Sequence, residues 1–278
     1  MDEDKQPQRF MMLASARTGS NLLLSLLSGH PSIKMYGELF NLDKLRKDEL
    51  VQTLDDPIEY LRKRVYRAHP LGTAAVGFKM FYEHLTPDYF SKPIDPSETS
   101  ERLKEQFVEL STFLQTNYDR TTLSERFSAT WDFLTGDRSL AIIHLKRRNM
   151  LNTLISLKTA YVTDVWWQLN GTKRTGTTKT TLRLDPAECE RYFRKLDECM
   201  EKADWIFQDH QKLEIVYENL LEKREEELRR VFAFLNVPYH LLSTRLEKQI
   251  LAPVSELVEN YSQLRQYFQQ TKWSAFFW

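Results

Sequence analysis

The segment Phe10-Met11-Met12-Leu13-Ala14-Ser15-Ala16-Arg17-Thr18-Gly19-Ser20-Asn21-Leu22-Leu23-Leu24 constrains this chain more than any other. Residues 10–13 are apolar and read as a buried strand. Residues 15–20 are small or polar apart from Arg17, and apolar character resumes at helical length from Asn21 to Leu27. A strand that turns tightly into a helix aims several unpaired backbone N–H groups at one point. The positive end of the helix dipole lies there too, so the junction binds anions. Gly19 lets the backbone approach closely, Ser20 adds a hydroxyl donor, and Arg17 adds a fixed charge able to grip an oxyanion with two bonds. The phosphate loop of nucleotide hydrolases, Gly-x-x-x-x-Gly-Lys-Ser/Thr, is absent. Gly72 to Gly77 is followed by Phe78-Lys79-Met80, and Gly171 to Gly176 by Thr177 with no lysine.

A second apolar run, Ser139 to Lys146, is rich in β-branched residues and ends in Lys146-Arg147-Arg148-Asn149 before a long helical pattern. Cations at a helix N-terminus oppose the dipole, so three in a row call for an anion. Arg148 and Ser156 lie eight residues apart, a little over two helical turns, which brings Ser156 near the face of the strand–helix junction.

Taken together, in this order and at these junctions, the two segments resemble the sulfotransferases that use 3′-phosphoadenosine 5′-phosphosulfate. The wording is closest to the bacterial carbohydrate (trehalose-type) and Golgi-type enzymes. Arg17-Thr18-Gly19-Ser20 matches their 5′-phosphosulfate loop, with Asn21 beside it, and Arg148 with Ser156 matches their 3′-phosphate site. The resemblance implies that these residues bind the donor. It also implies a catalytic base at Glu38, within Gly37-Glu38-Leu39-Phe40, whose pKa partial burial would raise toward neutrality. Histidine serves as base in the cytosolic-type enzymes, so His84 and His30 stay open as alternatives. Lys79, ending Ala74-Ala75-Val76-Gly77-Phe78-Lys79, matches a Gly-Phe-Lys phrase of the bacterial relatives. Strand ends on this side line the ligand crevice of open parallel sheets, where a cation can neutralise the transferred group or hold the acceptor. Tyr217-Glu218-Asn219-Leu220 after the strand Leu213 to Val216, and Phe234-Leu235-Asn236-Val237-Pro238 after a charged helix, resemble the late part of the family and place Tyr217 at the donor site. Residues 256–277 resemble its C-terminal helix and tail.

The 39 basic and 39 acidic residues balance to a formal net charge of zero, which argues against a general nucleic-acid binder. No apolar run reaches the ~20 residues of a membrane span. The acidic start Met1-Asp2-Glu3-Asp4 and the short run 10–13 do not read as a signal peptide, so a cytoplasmic location is expected. Cys189 and Cys199, on one helical pattern, would sit ~15 Å apart. Two cysteines and six scattered histidines give no metal-ligand spacing, and no metal is expected.

Strands are expected at 9–15, 74–80, 139–146 and 212–217, with a short one near 33–36. Helices are expected at 21–29, 43–54, 57–68, 98–116, 121–134, 149–168, 186–210, 222–235 and 255–270. Asp185-Pro186-Ala187-Glu188 is a helix start in which Asp caps and Pro takes the first turn, and Asp56-Pro57 and Ser255 look similar. The alternation predicts an α/β fold of three layers, a central parallel sheet of about five strands flanked by helices. The resemblance implies a P-loop-like nucleotide-kinase topology. The whole chain, 1–278, reads as one sulfotransferase domain with a helical insertion around 93–136. The Thr-rich segment around 170–184 reads as a mobile loop or as an ordinary solvated one. The expected activity is sulfuryl transfer to a hydroxyl of a carbohydrate, glycolipid or natural product. A kinase using ATP and an inactive nucleotide-binding relative remain as alternatives.

Overall fold

The computed structural model describes residues 6–86, 99–169, 181–247 and 252–277, so most of the expected loop at 170–184 lies outside the described residues. Seven strands are seen among them: β1 (Gln8–Ala14), β2 (Ile33–Glu38), β3 (Ala75–Phe81), β4 (Ala141–Lys146), β5 (Gln168–Leu169), β6 (Lys212–Val216) and β7 (Leu246–Glu247). The helices are α1 (Ser20–Ser28), α2 (Lys47–Asp55), α3 (Pro57–Arg62), α4 (Glu101–Asn117), α5 (Arg120–Gly136), α6 (Met150–Thr163), α7 (Pro186–Ile206), α8 (Tyr217–Glu222), α9 (Arg224–Phe234), α10 (Val254–Leu257) and α11 (Tyr261–Phe268).

Five strands form one parallel sheet in the order β2-β3-β1-β4-β6. Parallel strands are covered on both faces, which is why β1 and β3 read as nearly unbroken apolar runs. Along β1 the side chains alternate. Met11 and Leu13 join Val76, Phe78, Met80 and Ile142 in a core beneath α2, α3 and α5. Phe10, Met12 and Ala14 join Leu23, Leu26 and Ile143 in a second core, which α1 and α9 cover. The result is the expected three-layer α/β architecture. A third apolar cluster packs α6 and α7 against α11 and the tail, with Phe193, Phe268 and Trp273 at its centre.

Topology positions the site. The chain runs from β1 outward to β2, returns to β3, and then crosses to β4 and β6 on the other side of β1. The strand order therefore reverses about β1, and ligands of open α/β sheets bind at such a point, beyond the carboxyl ends of the strands. The turns after β1, β3 and β4 meet there. The register of the edge pair β2–β3 shifts between Met35 and Glu38, a local irregularity that brings Glu38 opposite Lys79.

Several boundaries depart from the sequence reading. The helix expected at 149–168 stops at Thr163, because Asp164 adopts a left-handed conformation with φ 54°. The one expected at 57–68 stops at Arg62. The run 222–235 follows a separate short helix, α8, and 255–270 divides into α10 and α11. Ser255 lies inside α10, which Pro253 precedes. Asp185 and Asp56 do cap their helices, accepting from the N–H groups of Glu188 and Glu59. The segment expected as a helical insertion holds α4 and α5 within the described residues, and 93–98 lie outside them.

Gly77 faces the ring of Phe10, its register partner on β1. A Cβ there would stand 2.3–2.5 Å from three ring atoms. Gly77→Ala should therefore cost about 1–3 kcal/mol of overpacking, read from the urea midpoint, and Phe10→Leu in the same background should recover part of it. An unchanged midpoint would show that the ring moves aside freely.

Candidate functional site

A cavity of about 1880 Å³ opens over the carboxyl ends of β1 and β3. It exceeds the ~300–1,000 Å³ of an ordinary small-ligand pocket. Its floor is the junction between β1 and α1. The turn is built from two residues in left-handed conformations, Arg17 at φ 65° and Gly19 at φ 86°. The Thr18 hydroxyl ties it together by donating to the carbonyl of Ser15 at 2.8 Å. No side chain caps α1, so its leading N–H groups are available to a ligand. Gly19 is required twice over. Its φ disfavours any side chain, and a Cβ would lie 2.2 Å from Cδ2 of Tyr217.

Three basic side chains converge on this floor. Arg17 donates through Nε to the Ser156 hydroxyl at 2.9 Å and through Nη1 to the Trp166 carbonyl at 2.5 Å. Arg147 donates to the Arg17 carbonyl at 2.9 Å and stacks over the Tyr217 ring, 4.8 Å from its centre. Its Nε is buried without a hydrogen-bond partner. Lys79, on β3, is 1 % exposed. It pairs with Glu38 at 2.6 Å and also donates to Asn21 Oδ1 and, at 3.5 Å, to the Ser20 hydroxyl.

The electrostatics show mutual repulsion. Burial, reinforced by the Arg147 charge, pulls the Arg17 guanidinium down to about 10. Burial lowers the Lys79 ammonium; Glu38 opposes the shift and Arg17 adds to it. Burial lowers Arg147 as well. Each shift reports a cation held in poor solvent, and for Arg17 and Lys79 a neighbouring cation adds to it. An arriving anion would relieve all three.

Glu38 departs from the expectation of a raised pKa. Burial does push it up, but the charges of Lys79 and His84 outweigh that, with hydrogen bonds from Lys79 and Asn41 adding to them. The carboxyl is held below its ordinary value. His84 is buried, takes the N–H of Phe81 on Nδ1 at 3.2 Å, and lines the same cavity.

Of the residues singled out by sequence, Arg17, Gly19, Ser20 and Asn21 line the cavity from the first junction. Glu38, Lys79, His84, Ser156 and Tyr217 reach it from other elements. Thr18 is buried in the turn itself and Arg148 lies outside the cavity wall. The Arg148 side chain donates to Asn219 at 2.8 Å and its backbone N–H to Glu218 at 3.1 Å. The arginine facing the cavity is its neighbour Arg147, which the sequence reading passed over. Successive side chains on an extended segment point to opposite sides, so spacing alone does not choose between them.

A further ionisable group is buried behind the cavity-lining Tyr82. His144 on β4 is buried beside Tyr82 and Asp204. Burial and Lys146 lower its pKa to about 4, against the pull of Asp204. Burial alone would raise Asp204, yet hydrogen bonds from Lys146 and Lys212, with His144, hold it far below the usual carboxylate range.

No family model matches the chain. Over 98 % of its length it is 26 % identical to Nodulation protein H of Rhizobium tropici, covering 93 % of that protein. It is also 26 % identical to Nodulation protein H of Rhizobium meliloti strain 1021, covering 95 % of it. Among solved structures, a sulfotransferase from Alicyclobacillus acidocaldarius aligns with a TM-score of 0.43 at 14 % identity, over 95 % of this chain and 92 % of that one. The sulfotransferase domain of the Synechococcus PCC 7002 olefin synthase aligns with a TM-score of 0.34 at 15 % identity, over 94 % and 84 %. Among the described residues no helix is long and apolar enough to cross a membrane, and no group of three or more His, Cys, Asp or Glu residues is arranged to hold a metal ion.

The depressed pKa of His144 gives a stability prediction. The unfolded chain takes a proton there below about pH 6.5, whereas the folded protein does not until about pH 4. The stabilisation is complete above pH 6.5 and fades as pH falls to 4, by ~3 kcal/mol in all. His144→Gln should reduce by about one proton the slope of unfolding free energy against pH in that window. A slope untouched by the substitution would assign it to another group.

Proposed function

We propose that the protein transfers a sulfuryl group from 3′-phosphoadenosine 5′-phosphosulfate to a hydroxyl of a small carbohydrate, glycolipid or natural-product acceptor, acting as a cytoplasmic enzyme without a metal. One observation carries the proposal: Arg17, Lys79 and Arg147 crowd together at the uncapped start of α1, buried and repelling one another. Such a site favours a compact polyanion, and the Arg-Thr-Gly-Ser wording of its turn favours a phosphosulfate. A phosphoryl transferase using ATP is the weaker reading, since the turn lacks the lysine that a nucleotide-hydrolase loop carries.

In this reading the N–H groups of the turn, Arg17 and Ser20 hold the 5′-phosphosulfate, with Thr18 and Gly19 shaping the turn and Asn21 orienting Lys79. Arg148 and Ser156 take the 3′-phosphate, Arg148 leaving Asn219 to do so, and Tyr217 flanks the donor. Arg147 is the competing anchor, because it already faces the cavity. The transfer is direct. The acceptor oxygen bonds to sulfur as the bridging oxygen of the donor leaves with its electron pair, and charge gathers on the 5′-phosphate beside Arg17 and Lys79. Glu38, ion-paired with Lys79, is our candidate for receiving the acceptor's proton, with His84 as the competitor. Its bond to Lys79 keeps it ionised but also lowers its basicity, so it must loosen that bond as the proton arrives.

Thermal-shift titration tests the donor. Adenosine 3′,5′-bisphosphate at 100 times its dissociation constant should add ~2.7 kcal/mol of apparent stability, and ATP with Mg²⁺ much less. The reverse order would make the protein a kinase-like binder. Arg148→Ala should weaken the bisphosphate far more than adenosine 5′-phosphosulfate, which lacks the 3′-phosphate. If Arg147→Ala gives that selective loss instead, the anchor moves by one residue.

The base is tested separately. Glu38→Gln should lower turnover by ~10²–10⁴-fold without weakening bisphosphate binding, since it leaves the Lys79 charge unopposed. His84→Ala abolishing turnover, with Glu38→Gln nearly as active as the parent, would give the role to the histidine.

A further inference from the structure

Away from the cation cluster, a polar chain runs from the cavity wall into the protein and plays no part in gripping the donor. It begins at Tyr82, the residue that follows β3 and lines the cavity. The Tyr82 hydroxyl lies 2.6 Å from Nε2 of His144, and Nδ1 of His144 lies 3.1 Å from Oδ1 of Asp204. Asp204, on α7, also accepts from Lys146 at 2.7 Å and Lys212 at 2.8 Å.

Each link fixes the direction of the next. A carboxylate between two ammonium groups is ionised and can only accept, so Nδ1 of His144 carries the ring proton. A neutral imidazole protonated at Nδ1 offers a lone pair at Nε2, so Tyr82 donates to it. A phenol has one proton. With that proton committed to His144, the hydroxyl has only acceptor capacity left.

We propose that Tyr82 is a specificity-determining residue of the transfer reaction. It stands in the cavity wall as an obligate hydrogen-bond acceptor, admitting compounds that present an O–H or N–H at that point and rejecting those that present a fluorine, an ether or a bare methylene. His144 and Asp204 are positioning residues, acting only through Tyr82. This role presupposes the sulfuryl transfer proposed above. Sites built around a polar group of the substrate discriminate strongly against analogues lacking it, because a buried partner is then left unsatisfied.

The test uses transfer from ³⁵S-labelled 3′-phosphoadenosine 5′-phosphosulfate to methyl hexosides, their monodeoxy forms and their monodeoxyfluoro forms. In the parent protein, one ring position should show a loss of at least about tenfold in kcat/KM for the deoxy and fluoro compounds alike. Tyr82→Phe keeps the ring and should bring all three compounds to within about twofold of one another at that position. His144→Leu supplies the sharper outcome. It removes the Nε2 that receives the Tyr82 proton, which is then free to turn toward the cavity. The fluoro compound, which accepts but cannot donate, should then outperform the deoxy compound by several-fold.

Bisphosphate binding, read by thermal shift on the same preparations, reports the donor reading by itself and should be unchanged in Tyr82→Phe. Discrimination lost with that shift intact belongs to Tyr82 alone. A Tyr82→Phe protein that binds the bisphosphate and discriminates like its parent overturns the role of Tyr82 while leaving the donor reading in place. A His144→Leu protein that treats fluoro and deoxy compounds alike overturns the directional chain.

Discussion

Like-charge repulsion, held in check by packing, is the constraint around which this molecule is arranged. Arg17, Arg147 and Lys79 come from three different parts of the chain, the turn after β1, the residue after β4 and the body of β3. Left to themselves in water they would separate. The parallel order β3-β1-β4 denies them that, since it seats the three supporting segments side by side. Glu38 offsets one charge, and hydrogen bonds such as Arg147 to the Arg17 carbonyl hold the remainder in place. A multiply charged anion bound among these cations would offset their unfavourable charge and stabilise the fold.

The fold was legible because its central strands are buried on both sides. β1, β3, β4 and β6 announce themselves as apolar runs separated by helical patterns, and β2 as a shorter one, and they lie within a residue or two of the expected positions. Helix ends were less legible. Asp164 stops α6 by adopting a backbone conformation that nothing in its sequence neighbourhood demands. At the site, the β1–α1 turn could be read because its chemistry is local: small residues, a glycine and an arginine in six positions.

What could not be read depends on register. Glu38 meets Lys79 through an irregularity in the β2–β3 pairing, so the ion pair that lowers the Glu38 pKa is invisible in either segment alone. The choice between Arg147 and Arg148 depends on which way a strand end faces. Tyr82, His144 and Asp204 are separated by about sixty residues at each step, and only the docking of α7 across β4 brings them into line.

Among the described residues the β2 strand lies at the edge of the sheet, paired only with β3. Edges are where native proteins open first, in excursions too small to count as unfolding. Were the last residues of β2 to lift away, Glu38 would go with them and leave Lys79 a buried cation among others. The charge balance of the cavity would then be a time average, and amide hydrogen exchange at Met35 to Glu38 would be its natural clock.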